Sequence, residues 1–144
     1  AITGGKKFMN KLWNASRFVL TKTSEQKTAK WTSELQPGTD ADKKILSSVA
    51  ELKTRTDKNL ENFEFSAALK DIYDFFWHDF CDAYLEASKR QLENGKTREN
   101  TEKILHAVLL RSLALLHPFI PFVTEEIYAA MPHKTGEMLM IHRV

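Results

Sequence analysis

Prolines stand only at Pro37, Pro118, Pro121 and Pro132, and glycines only at Gly4, Gly5, Gly38, Gly95 and Gly136, so most of the chain carries no backbone breaker. Long helices follow from that spacing. The hydrophobic period places them over about 5–21, 41–61, 66–92, 98–116 and 121–130. The expected fold is all-α: a helical bundle of about five helices with a short C-terminal extension around Met138–Ile141, in a single domain spanning 1–144. Asp40 is the expected cap of the second helix, whose core stripe is Ile45, Val49, Leu52 and Leu60. Phe63–Ser66 marks a break, with Ser66 as the next cap. The third helix is the heaviest element: Leu69, Ile72, Phe76, Phe80 and Leu85 are joined by Tyr73, Trp77 and Tyr84. At about 1.5 Å per residue it is roughly 40 Å long, and its aromatic girth requires packing on more than one side. Asn94-Gly95-Lys96 turns the chain into a fourth helix that sends Ile104, Val108, Leu109 and Leu115 inward. His117-Pro118 stops it and Pro121 opens the fifth, with Glu125 and Glu126 near its positive end. Thr21–Asp40 reads as an irregular connection with a turn near Trp31.

A chain of 144 residues with 42% hydrophobic and 28% charged residues buries a core without staples. The lone Cys81 has no internal disulfide partner, which suits a reducing compartment and makes the cytoplasm the expected location. No run of apolar residues suggests a membrane span. The start Ala1-Ile2-Thr3 runs straight into helix-forming sequence and reads as a piece of a longer protein.

The first helix has two distinct faces. Phe8, Leu12, Ala15 and Val19 follow the i, i+4, i+7, i+11 pattern of a buried stripe. Lys6, Asn10 and Arg17 project opposite, flanked by Asn14 and Trp13. Lys6, Lys7, Lys11, Arg17, Lys22, Lys27 and Lys30 are answered only by Glu25 over the first thirty residues, although the whole chain carries a net charge of only +2. Such a face offers donors and a stacking plane to nucleic acid. A solvated mixed face is the alternative reading. Phe18 lies at the border between the faces, with packing slightly favoured over base stacking.

Catalytic chemistry is not visible. There is no glycine-rich phosphate loop, no paired Cys/His spacing and no Ser–His–acid constellation. His78 and Asp82 are four residues apart, but two groups do not make a metal site. Glu125 and Glu126 point about 100° apart and do not share a proton. Cys81 reads as a small buried hydrophobe and His117 as a packing or capping histidine.

Three blocks resemble the helical anticodon-binding domain of class I aminoacyl-tRNA synthetases, closest to the valyl branch: Asn10-Lys11-Leu12-Trp13-Asn14-Ala15-Ser16-Arg17-Phe18, Phe76-Trp77-His78-Asp79-Phe80-Cys81-Asp82-Ala83-Tyr84-Leu85-Glu86, and Leu116-His117-Pro118-Phe119-Ile120-Pro121-Phe122-Val123-Thr124-Glu125-Glu126. They occur in the family's order and span nearly the whole chain. The chain departs from the family's pattern at Ala83, Lys43-Lys44 and the lysine-rich Thr21–Lys30. The resemblance implies a tRNA anticodon stem-loop as partner, a catalytic domain elsewhere in the same parent chain, and a monomer. It implies that the parent attaches valine to tRNA with ATP and Mg²⁺. This stretch lacks both ATP-handling motifs and implies no catalytic residue, cofactor or metal of its own. The implied tRNA contacts are Lys6, Lys7, Asn10, Lys11, Asn14, Arg17 and Phe18. The alternatives are an isoleucyl or leucyl relative, a helical protein-interaction bundle without an RNA role, or a whole small enzyme.

Overall fold

The computed structural model describes residues 2–22 and 37–129, and for 2–6 and 128 the backbone alone. Within these residues the chain is helical and without strands. Helix α1 is Ile2–Lys22, α2 is Asp40–Glu61, α4 is Arg98–Leu116 and α5 is Pro121–Ala129. Between α2 and α4 runs α3, one continuous rod with an α-helical Phe65–Asp74, a π-helical Phe75–Tyr84 and an α-helical Leu85–Glu93. The expected helix boundaries agree to within a few residues. The expected C-terminal extension and the turn near Trp31 lie outside the described residues.

The most enclosed rod is α4 rather than α3. It contacts α1, α2, α3 and α5, so residues on all its sides are buried, from Ile104 and Leu105 through Leu113 and Leu116. A helix buried on every face is apolar all round. In α4 that enclosure also takes in Glu102, His106, Arg111 and Ser112. By contrast, α3 leaves Leu69 exposed, although its spacing predicts a core position. Leu60 is only half-buried at the same end of the bundle.

The π segment is the one departure from regular geometry in α3. Five of its ten residues are aromatic, and i→i−5 bonding, as from Leu85 N–H to Phe80 C=O, widens the turn. Side chains four apart then meet along the rod: Tyr73 stacks on Trp77 at 5.4 Å, Phe76 lies tilted against Phe80 at 5.3 Å, and Phe80 stacks on Tyr84 at 6.4 Å between ring centroids. Phe8 of α1 stacks on Tyr73 at 4.6 Å, which seats the buried stripe of α1 against this column.

Two expected caps differ. The residue capping α2 is Thr39, whose hydroxyl accepts from Asp42 N–H, while Asp40 is the first helical residue. Ser66 lies inside α3, and Glu64 precedes the helix without a side-chain cap bond. Between them Phe63 adopts φ 59°, the left-handed region that a β-carbon disfavours. Its ring is 78% exposed and touches Phe65 edge-on at 6.3 Å between centroids. Phe63→Gly is therefore expected to raise stability by about 1 kcal/mol, because relief of the backbone strain outweighs the exposed edge-on ring pair. Urea unfolding checks it: an unchanged or lower midpoint would show that the aromatic pair outweighs the strain.

Among the described residues no helix is long and apolar enough to cross a membrane.

Candidate nucleic-acid interface

The buried stripe of α1 forms as the spacing predicts: Phe8, Leu12, Ala15 and Val19 all belong to the core. Burying them fixes the rotation of the helix, and Lys7, Asn10, Asn14 and Arg17 are consequently exposed. None of these four side chains has a hydrogen bond or ion pair to a described residue. They form an unpaired ridge along the outer face of α1. The side chain of Lys6 lies outside the described residues.

A groove of about 570 Å³ runs between this ridge and α3. Lys7, Asn10, Lys11, Asn14 and Phe18 form its α1 wall, so five of the seven residues implied by the resemblance share one surface. Arg17 lies on the other flank of α1, beside Trp13. Phe18 is half-buried and packs against the core, as favoured from the sequence. The opposite wall comes from α3: Trp77, Cys81 and Leu85 supply apolar surface, and Glu86 and Lys89 the rim. Trp77 and Leu85 read as core residues in the sequence, and Lys89 carries no distinguishing mark of its own. The available signal is the four-residue recurrence of Trp77, Cys81, Leu85 and Lys89, which marks one edge of the rod.

Lys11 is held by the fold. Its Nζ lies 3.0 Å from Asp82 Oδ1 and 4.5 Å from the centroid of the Trp77 ring, an ion pair combined with a cation–π contact. The hydrogen bond from Lys11 holds the Asp82 carboxyl below its ordinary pKa, with His78 adding to the effect from 3.4 Å. Lys89 pairs with Glu86 at 2.8 Å. Exposed pairs of this kind contribute about 0–1 kcal/mol, so an arriving phosphate competes for either lysine at low cost. Burial pushes the Cys81 thiol up to about 12, which keeps it protonated and unreactive.

The two sides of α3 differ in charge. Away from α1, Asp71, Asp74 and Asp79 line a surface with Arg55 and His78, and Asp71 pairs with Arg55 at 3.9 Å. An acidic flank repels a phosphate backbone, so a polyanion is directed to the α1 side. Among the described residues no group of three or more His, Cys, Asp or Glu is placed to hold a metal ion. His117 closes the corner between α4 and α5, with Nδ1 2.9 Å from Thr124 Oγ1 and Nε2 3.8 Å from Glu125. It is a packing histidine at the C-terminal end of α4.

Residues 42–143 match the family described as the anticodon-binding domain of tRNA ligase. Among curated relatives, the valine–tRNA ligase of Aquifex aeolicus is 36% identical over 96% of the chain, and that of Thermotoga maritima 43% identical over 94%. The valine–tRNA ligase of Enterococcus faecalis is 43% identical over 93% of the chain. The chain spans 13% of the Aquifex protein and 15% of the other two. The family match begins at Asp42, after α1, whereas coverage above nine-tenths of the chain in the relatives necessarily reaches into α1.

Proposed function

The chain belongs to the anticodon-binding domain family of tRNA ligases, and we propose that it binds the anticodon stem-loop of a tRNA as one domain of a valine–tRNA ligase. The parent then attaches valine to tRNA at the expense of ATP with Mg²⁺, acting as a monomer in the cytoplasm. Neither ATP nor Mg²⁺ fits the described residues, since there is no glycine-rich phosphate loop and no carboxylate set for the ion. That chemistry belongs to a catalytic domain in the same parent chain. The valine assignment is supported by relatives that carry that name at 36–43% identity.

The observation that carries the reading is the unpaired ridge of Lys7, Asn10, Asn14 and Arg17 beside a groove with an apolar floor. Protein reaches the bases of an RNA loop because they are unpaired, and stacks or hydrogen-bonds them while cations meet the phosphates. Lys7, Lys11 and Lys6 are assigned to phosphates, Asn10, Asn14 and Arg17 to base edges, and Phe18 to the groove wall beneath them.

The two roles separate by titration with a valine tRNA transcript and an anticodon-swapped one. Lys7→Ala is expected to flatten the log–log salt dependence by about 0.7 and to weaken both RNAs alike. Arg17→Ala is expected to cost about 1–3 kcal/mol for the cognate anticodon and less for the swapped one. Equal, anticodon-blind losses in both variants would remove the reading role, and no binding at moderate salt would return the ridge to a merely solvated face.

A further inference from the structure

The second flank of α1 carries its own groove, of about 320 Å³, where Trp13, Ser16, Arg17 and Leu20 face Ile127 of α5. Trp13 is 36% exposed, so much of its indole is open to a stacking partner. Ser16 is 1% exposed, and its hydroxyl has no hydrogen-bond partner among the described residues. A hydroxyl enclosed without a partner costs about 1–3 kcal/mol, which a bound group can recover. Arg17 stands exposed at the rim, unpaired with any described residue, and belongs to the same ridge as Asn14 and Asn10.

We infer that this groove receives one unpaired nucleobase of the bound RNA, so that the loop straddles α1 with bases on both flanks and its phosphates met by Lys7 and Lys11. The inference rests on the RNA-binding reading above. A base matches the groove in chemistry: its ring stacks on Trp13 between Leu20 and Ile127, and its polar edge meets Ser16 and Arg17. An apolar side chain of a protein partner would leave both the hydroxyl and the guanidinium without a match.

The test uses RNA hairpins carrying the anticodon loop, with each loop base removed in turn to leave an abasic site, titrated against the 144-residue chain. One abasic position is expected to weaken wild-type binding about tenfold, the value of one stacked base at 1.4 kcal/mol per factor of ten. Trp13→Ala is expected to weaken the intact hairpin about tenfold and to make that abasic position indifferent, while Trp13→Phe restores part of both effects. Ser16→Ala separates binding from folding: it removes an unpaired hydroxyl, so the melting temperature holds or rises while affinity falls about threefold to tenfold. Wild-type affinity in both Ser16→Ala and Trp13→Ala overturns the groove and leaves the α3 side of the interface standing. Failure of the wild-type chain to bind any of the hairpins or the full tRNA overturns the RNA reading and this groove with it.

Discussion

Asp42→Ala is expected to remove about 4 kcal/mol of stability, a large fraction of the 5–15 kcal/mol typical of a folded domain. The Asp42 side chain is 1% exposed and sits in the first turn of α2, where a negative charge is favoured. Its Oδ1 accepts from the Tyr84 hydroxyl at 2.7 Å and Gln91 Nε2 at 2.9 Å, and its Oδ2 from Gly38 N–H at 3.0 Å and Asn100 Nδ2 at 3.5 Å. One carboxylate thus joins the start of α2, the second half of α3 and the start of α4. Gln91 extends the junction to Thr101 at 2.9 Å and Thr39 at 2.8 Å. Removing the acceptor leaves the buried Tyr84 hydroxyl without its partner, at about 1–3 kcal/mol, and takes an acceptor from the half-buried Gln91 and Asn100 amides as well. Asp42→Asn fills the same space but turns an amide N–H₂ toward donors, so it is expected to recover less than half of the loss. Urea unfolding with an unchanged slope reads both numbers. A loss under about 1 kcal/mol in the alanine variant would mean that water replaces the carboxylate. Burial, and then Asp42, hold the Tyr84 phenol well above its ordinary pKa, so the hydroxyl remains a donor throughout the physiological range.

His106 sets the second large effect, and its size depends on pH. It lies inside α4, 1% exposed, and neither ring nitrogen has a hydrogen-bond partner among the described residues. Burial pushes its pKa from 6.5 down to about 4. A depressed pKa means that the unfolded chain takes up a proton which the folded chain refuses, so stability is intact above about 6.5 and falls as the pH drops toward 4. At 1.36 kcal/mol per unit, the drop amounts to about 3 kcal/mol over that window. His106→Leu is expected to abolish this component, and at neutral pH to add about 1–3 kcal/mol by removing two enclosed unpaired nitrogens. Unfolding curves for both proteins at pH 7 and pH 4.5 make the comparison. Parallel losses in wild type and variant would place the acid sensitivity in the carboxylates instead.

The α1 face was legible because a four-residue buried stripe fixes a helix's rotation, and with it the direction of Asn10, Asn14 and Arg17. The helix boundaries followed from the breakers in the same way. What local pattern does not encode is contact across the bundle. Thr39 and Asp40 are both competent caps in isolation, and the choice of Thr39 is reinforced from α3 by Gln91. The centrality of α4 depends on which rods surround it, and Glu102, His106 and Arg111 disguised it as a half-exposed helix. The α3 wall of the groove was hidden for a related reason: Trp77 and Leu85 have core composition, and only the position of α1 beside them makes a cleft. Lys11 read as a free cation because Asp82, seventy-one residues away, is its partner only after folding.

The π-helical Phe75–Tyr84 also acts as the phase-setter of α3. The wider π turns take up about one residue more than an α-helix would over the same span, so tightening the ladder to α geometry with every residue retained would swing everything after it by about 100°. Leu85 and Lys89 would leave the cleft, and Gln91 would swing away from Asp42, although every side chain in those sites was still encoded. The wide turns of this stretch therefore have to be kept, whereas the turn at 94–97, with Gly95 facing open space, can absorb changes in length.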